Sequence, residues 1–268
     1  MTQETISSLN KFNLNLKGSG NTPMLFLHGY GCDQNMWRFI TPAFEKDYMI
    51  ILVDLIGSGG SDLSVYNYEK YNSLAGYADD IIEICTELDL KEVVLVGHSV
   101  SAMSALLAIT KQPDLFNSLI MIGPSPCYIN KENYFGGFEQ SEIDGLLEAV
   151  ESNYLGWSSN ITPVIMGNPD RPELSEELKE SFCRNNPDIA RHFAKVTFTS
   201  DNRHDIPNSL TQSLILQCKS DIIAPVQVGQ YVLENKPNSK LIELDTSGHC
   251  PHLSDPELTI KAMQSFLN

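Results

Sequence analysis

The chain predicts an α/β fold, with a mainly parallel sheet flanked by helices and a four-helix insertion. Three observations carry this expectation. Short apolar runs alternate with longer amphipathic stretches through residues 1–124, the pattern that builds a parallel sheet covered by its crossover helices. Residues 125–208 then hold helix-like segments and no strand-like run. Strand-like runs return in residues 209–268, so a divided sheet domain brackets a helical lid.

Taken in order, Phe12, Leu14 and Leu16 alternate with polar residues, which predicts an antiparallel edge strand. Met24–Leu27, Met49–Val53, Val93–Val96 and Leu119–Ile122 are apolar throughout, as strands buried on both faces are. Between them, helices are expected over Met36–Phe44, Leu74–Leu88 and Ala102–Lys111; in the second, Ile81, Ile82, Cys85 and Leu88 recur at helical spacing. Four helices are expected near 138–154, 156–167, 173–184 and 187–199, parted by turns such as Gly167-Asn168-Pro169-Asp170-Arg171-Pro172. Ser213–Gln217 and Lys240–Leu244 complete the sheet, with helices near 226–236 and 256–267. An insertion placed after a sheet strand lies over the strand ends, where α/β folds hold their ligands.

Bulk properties narrow the function. The 268 residues carry 18 Lys and Arg against 34 Asp and Glu, a net charge of −16. Nucleic acid and anionic membranes both demand a basic face, so neither is an expected partner. No apolar run nears the ~20 residues that span a bilayer. Met1-Thr2-Gln3-Glu4-Thr5 lacks the charge and apolar core of a secretory leader. The six cysteines (32, 85, 127, 183, 218, 250) are scattered without a C-x-x-C pair, which fits a reduced, cytoplasmic protein.

The chemistry centres on Val93-Val94-Leu95-Val96-Gly97-His98-Ser99-Val100, a buried strand, a sharp turn and a helix start. This is the context of a nucleophile elbow, which holds a serine hydroxyl exposed above a sheet edge. Ser101 replaces the final glycine of G-x-S-x-G, a small residue where helix and strand must approach closely. Ser101 itself falls inside the helix, away from the turn tip. The base is expected in the loop after the last strand, at His249, with His252 as competitor. The acid is expected at Asp221, three residues past Leu214–Cys218; Asp245 competes but lies close to His249 in the chain. The order Ser99, Asp221, His249 is that of the α/β-hydrolases. An oxyanion hole needs two backbone amides, assigned to Val100 and to Tyr30 in His28-Gly29-Tyr30-Gly31. Tyr128, Phe138 and Phe198, with His98, are the expected substrate-contacting residues; the wider aromatic set adds residues 134, 135, 154 and 193. No cofactor and no metal is expected: His249, Cys250 and His252 lack further ligands at zinc-site spacing. Gly57-Ser58-Gly59-Gly60-Ser61-Asp62 lacks the lysine of a P-loop and reads as a structural turn.

These residues carry a resemblance. His28-Gly29-Tyr30-Gly31-Cys32-Asp33-Gln34, Gly97-His98-Ser99-Val100, Gly123-Pro124-Ser125-Pro126-Cys127-Tyr128, Asn168-Pro169-Asp170-Arg171-Pro172-Glu173, Asp221-Ile222-Ile223-Ala224-Pro225 and Gly248-His249-Cys250-Pro251-His252 resemble the RsbQ-type α/β-hydrolases. The same segments are similar to the plant karrikin and strigolactone receptors. The resemblance implies a Ser99–His249–Asp221 triad with Tyr30 and Val100 amides, acting on a small hydrophobic ester or lactone. It also implies a regulatory output: a PAS-containing serine/threonine phosphatase (RsbP-like) as partner in a sigma-B stress response. Tyr30 departs from the phenylalanine usual in the family and is expected to bring a hydroxyl to the pocket mouth. A plain carboxylesterase and a binding module with negligible turnover are the alternatives.

Overall fold

The computed structural model describes residues 9–268, so the Met1–Thr5 stretch lies outside the described residues. The sheet comprises β1 (Asn15–Lys17), β2 (Thr22–Leu27), β3 (Tyr48–Leu52), β4 (Val93–His98), β5 (Phe116–Ile122), β6 (Gln212–Ser220) and β7 (Ser239–Ser247). Their spatial order is β1-β3-β2-β4-β5-β6-β7. β1 is antiparallel to β3, and the remaining pairs are parallel. Parallel pairing needs crossovers, which α1 (Leu74–Glu87) and α2 (Val100–Lys111) supply beside the central strands. All six residues of β4 are buried, which explains its unbroken apolar run. Each such valine or leucine taken from water contributes about 1.5–3 kcal/mol to the fold.

Between β5 and β6 come α3 (Gln140–Ser152), α4 (Tyr154–Met166), α5 (Pro172–Arg184) and α6 (Pro187–Thr199). Their ends are written locally. Glu139 and Glu142 form a capping box before α3, and Asn153 caps α4, which stops at Gly167 with φ 59°. Asn186 caps α6 with Pro187 in the first turn, where a missing N–H costs nothing. On α6, Ile189, Ala190, Phe193, Ala194, Thr197 and Phe198 bury one face at helical spacing. After the insertion, α7 (Val226–Asn235), the single turn α8 (Pro251–Ser254) and α9 (Pro256–Leu267) complete the chain.

Two expected elements differ. Met36–Phe44 is not one helix but two 3-10 turns, Gln34–Trp37 and Thr41–Ala43. Pro42 lacks the N–H that a continuous helix would use there. The Phe12–Leu16 alternation overstates the edge strand: Phe12 is buried in a 3-10 turn, and β1 starts at Asn15. Asn13, left-handed at φ 47°, separates the two.

Candidate active site

Ser99, Asp221 and His249 lie beyond the carboxyl ends of β4, β6 and β7, so parallel strands deliver all three side chains to one edge of the sheet. Ser99 sits between β4 and α2 with φ 56° and ψ −124°, a strained conformation for a residue with a side chain. Its N–H donates to the Ile122 carbonyl at 2.8 Å. Gly97 permits the turn, because a Cβ there would lie 2.7 Å from the Ser101 carbonyl oxygen. Ser101 points elsewhere: fully buried, its hydroxyl donates to the His28 carbonyl at 2.5 Å. The departure from glycine thus ties the start of α2 to the end of β2, and Ser101 does not reach the reaction edge.

Asp221 is buried, and its Oδ1 accepts the N–H groups of Ile223 (2.8 Å) and Ala224 (3.1 Å). Its Oδ2 accepts a hydrogen bond from His249 Nδ1 at 2.7 Å. With that proton assigned to Nδ1 by the acceptor-only carboxylate, Nε2 is left to accept from Ser99 Oγ at 2.8 Å. The His249 loop is fixed at both faces of its peptide. Its N–H donates to Ile165 at 2.8 Å, and its carbonyl accepts from His98 Nε2 at 2.8 Å. Gly123 (φ 56°) leaves room for the ring, since a Cβ there would stand 3.0 Å from the imidazole.

Burial holds the imidazoles behind His249 neutral. His98 is kept well below the usual histidine range by burial first, then by His252 and His249. His252 is pushed down to about 3, again by burial first. Neither ring nitrogen of His252 has a hydrogen-bond partner among the described residues, whereas His249 meets both Ser99 and Asp221. The His252 ring packs tilted against Trp37 at 4.8 Å and edgewise against His98 at 4.5 Å. Asp245 is exposed and pairs with Lys219 at 3.0 Å. The glycine-rich segment is a turn: Asp54 accepts from Gly60 N–H at 2.8 Å, and Ser61 Oγ from Gly57 N–H at 3.0 Å. His98, Cys250 and His252 bring potential ligand atoms within 4.8 Å of one another, a different triple from the one the chain order offered.

Val100 opens α2, where helix geometry leaves the first N–H without an intrahelical acceptor. Gly29–Cys32 forms a turn closed by the Cys32 N–H to Gly29 carbonyl bond at 3.3 Å, with Gly31 left-handed at φ 77°. Tyr30 is the second residue of that turn, and its N–H finds no acceptor among the described residues.

Ser99 and His249 open onto a small, mainly apolar cavity of about 80 Å³. Tyr128, Phe138, Phe198 and His98 all contribute to its wall, although the His98 Nε2 is spent on the His249 carbonyl. Tyr128 Oη lies 3.4 Å from Ser99 Oγ, and burial raises its phenol to about 12, so the proton stays on. Of the wider aromatic set, Phe135 is exposed, Tyr134 donates to the Cys127 carbonyl and Tyr154 to the Phe182 carbonyl, outside the cavity. Tyr30 corrects an expectation: its ring lines the cavity, but its hydroxyl turns away and donates to the Ala190 carbonyl at 3.0 Å. The chain reading missed Trp157, Ile161 and Phe182 from the insertion and Ile222 beside Asp221. Trp157, Ile161 and Phe182 lie on helices, where spacing alone does not separate a cavity wall from ordinary packing, and Ile222 lies in a loop, where no periodicity marks a face.

The fold and this strand-edge arrangement define a hydrolase of the α/β class. The chain belongs to the Alpha/beta hydrolase family, whose pattern matches residues 24–262. It is 36% identical over 262 residues to a strigolactone esterase of Pisum sativum, covering 97% of this chain and 98% of that one. It is 35% identical over 252 residues to a karrikin insensitive 2 receptor of Petunia hybrida, covering 94% and 93%. Among solved structures, a hydrolase from Oleispira antarctica superposes with a TM-score of 0.96 at 41% identity, covering 100% and 98%. Among the described residues no helix is long and apolar enough to cross a membrane.

Proposed function

We propose that the protein is a serine hydrolase of small hydrophobic esters or lactones, with the insertion (within residues 125–208) as a lid over a core formed by 1–124 and 209–268. The observation that carries this reading is the unbroken line Asp221 Oδ2, His249 Nδ1, His249 Nε2, Ser99 Oγ, at 2.7 and 2.8 Å, opening onto an apolar cavity. Ser99 Oγ attacks the carbonyl carbon as His249 Nε2 takes its proton. Asp221 holds the ring and stabilises the imidazolium. The Tyr30 and Val100 amides bind the oxyanion, and each such donor is worth about 3 kcal/mol of transition-state stabilisation. His249 then protonates the leaving alkoxide, and a water activated by the same imidazole releases the acyl group. The apolar wall favours small hydrophobic acyl groups, and Tyr128 Oη offers one donor beside the nucleophile.

A fluorophosphonate probe and p-nitrophenyl acetate test this directly. Wild type should label at Ser99 and turn over, and Ser99→Ala should do neither while melting at the wild-type temperature. Full turnover by Ser99→Ala would end the proposal. A second reading, a ligand-gated regulator, is supported by relatives named as receptors; an RsbP-like phosphatase as its partner rests on the sequence resemblance alone. Its test is capture of a PAS-containing phosphatase that depends on an apolar ligand; no capture with or without ligand would refute it.

A further inference from the structure

The turn that carries the Tyr30 amide is gripped from the lid side. Ser181 Oγ (2.9 Å) and Asn185 Nδ2 (3.1 Å) both donate to the Gly31 carbonyl, which fills its two acceptor sites. The Tyr30 hydroxyl donates to Ala190 on α6. The Arg184 guanidinium pairs with Asp33 at 3.0 Å, and the Phe182 ring occupies the space a Gly31 side chain would need. These partners all come from the end of α5, the α5–α6 link and the first turn of α6. Gly31, left-handed at φ 77°, has no side chain to hold its own peptide planes. The orientation of the turn is therefore set by what binds its carbonyl and what anchors the Tyr30 ring.

From this we infer that Ser181, Asn185 and the Tyr30 hydroxyl are positioning groups through which the lid sets the oxyanion hole, so that turnover requires the α5–α6 junction seated as it is here. The inference rests on the hydrolase reading above, in which the Tyr30 amide binds the oxyanion. A ligand or partner that lifts this junction would slow hydrolysis while leaving the Ser99–His249–Asp221 line in place. The clamp thus gives the lid control over rate as well as over access.

The test uses the full-length chain and p-nitrophenyl acetate. An intact oxyanion donor is worth about 10²- to 10³-fold, so a loosened one in S181A/N185A should lower kcat about tenfold. KM should stay near wild type, because the oxyanion forms after binding. S181T restores a hydroxyl donor and should recover most of the loss in the Ser181 single variant. Tyr30→Phe should lower kcat in the same sense, and more mildly. Glu177→Gln removes the Arg38–Glu177 pair (2.7 Å), a lid-to-core contact that does not touch the turn, and should leave kcat within about twofold. Wild-type kcat in a folded double variant would overturn the inference. So would a loss carried by KM alone, or an equal loss in Glu177→Gln. If the double variant does not fold, the single variants S181A and N185A are read the same way. Turnover surviving in Ser99→Ala is a separate failure: it removes the hydrolase reading itself before any lid variant is made.

Discussion

Moving the protein from pH 7 to pH 5 should weaken the fold through His252, and replacing that residue should blunt the loss. His252 is fully buried, and neither ring nitrogen has a partner among the described residues. Burial lowers its folded value to about 3, against about 6.5 for the unfolded chain. Below pH 6.5 the unfolded chain binds a proton that the folded chain refuses. The stabilisation is therefore complete above 6.5 and is lost as the pH falls toward 3. The slope is about 1.4 kcal/mol per pH unit for one proton, so the fall to pH 5 costs about 2 kcal/mol from this side chain. His98, buried and lowered in the same direction, adds to the wild-type slope. His252→Phe keeps an aromatic ring against Trp37 and loses no hydrogen bond, so at pH 7 it should lie within about 1.5 kcal/mol of wild type. Urea unfolding of both proteins at pH 7, 6 and 5 reads the effect. Their stability difference should move by about 2 kcal/mol in favour of the variant. Parallel pH curves for the two proteins would refute the reasoning.

Three further outcomes follow from the site. Asp221→Asn should cut kcat for p-nitrophenyl acetate by about 10⁴-fold through loss of the productive tautomer, with near-UV circular dichroism unchanged. A loss below tenfold would show that another group orients His249. Ser101→Ala should keep turnover within a few-fold and lower stability by about 1 kcal/mol, the worth of its bond to the His28 carbonyl; loss of fluorophosphonate labelling in this variant would contradict the assignment of Ser99. Trp157→Ala, which enlarges the cavity, should raise the butyrate-to-acetate rate ratio measured with p-nitrophenyl esters, and an unchanged ratio would place the acyl chain elsewhere.

What could be read from the chain alone follows the physics of each element. Strands buried on both faces leave an apolar run, and β2, β4, β5 and β6 were legible from that mark, whereas the edge strand β7 is mostly half-buried or exposed and shows only the shorter run around Leu241 and Ile242. Ser99, Asp221 and His249 were legible because a parallel sheet puts the residues after its strands at one edge, so chain position alone predicts their convergence. The helices of the insertion were legible from the turns that part them, such as Gly167-Asn168-Pro169-Asp170-Arg171-Pro172. Met36–Phe44 was misread because its apolar spacing is shared by a helix and by two 3-10 turns, and Pro42 decides between them. The wall supplied by Trp157 and Phe182 was illegible, since a residue facing a cavity and a residue facing the core carry the same spacing and the same chemistry; Ile222 sits in a loop, where no period marks a face. The Tyr30 hydroxyl shows the same limit from the polar side. Its target is a main-chain carbonyl 160 positions away, and every residue type offers one.

That last contact also explains how this chain can accommodate a tyrosine hydroxyl beside a mainly apolar wall. A phenol pointing into the cavity would leave a buried donor unsatisfied, at a cost of about 1–3 kcal/mol. Turned outward, it meets the Ala190 carbonyl at 3.0 Å, while its ring stays against Phe182, Phe193, Phe198 and Trp157. The tyrosine keeps its hydroxyl out of the cavity and adds a tie between the Gly29–Cys32 turn and α6. The tie requires α6 to stay within hydrogen-bond reach of the turn. A lid free to lift without consequence for the chemistry would therefore gain nothing from this residue, whereas a lid that must be seated for turnover gains a donor that holds it there.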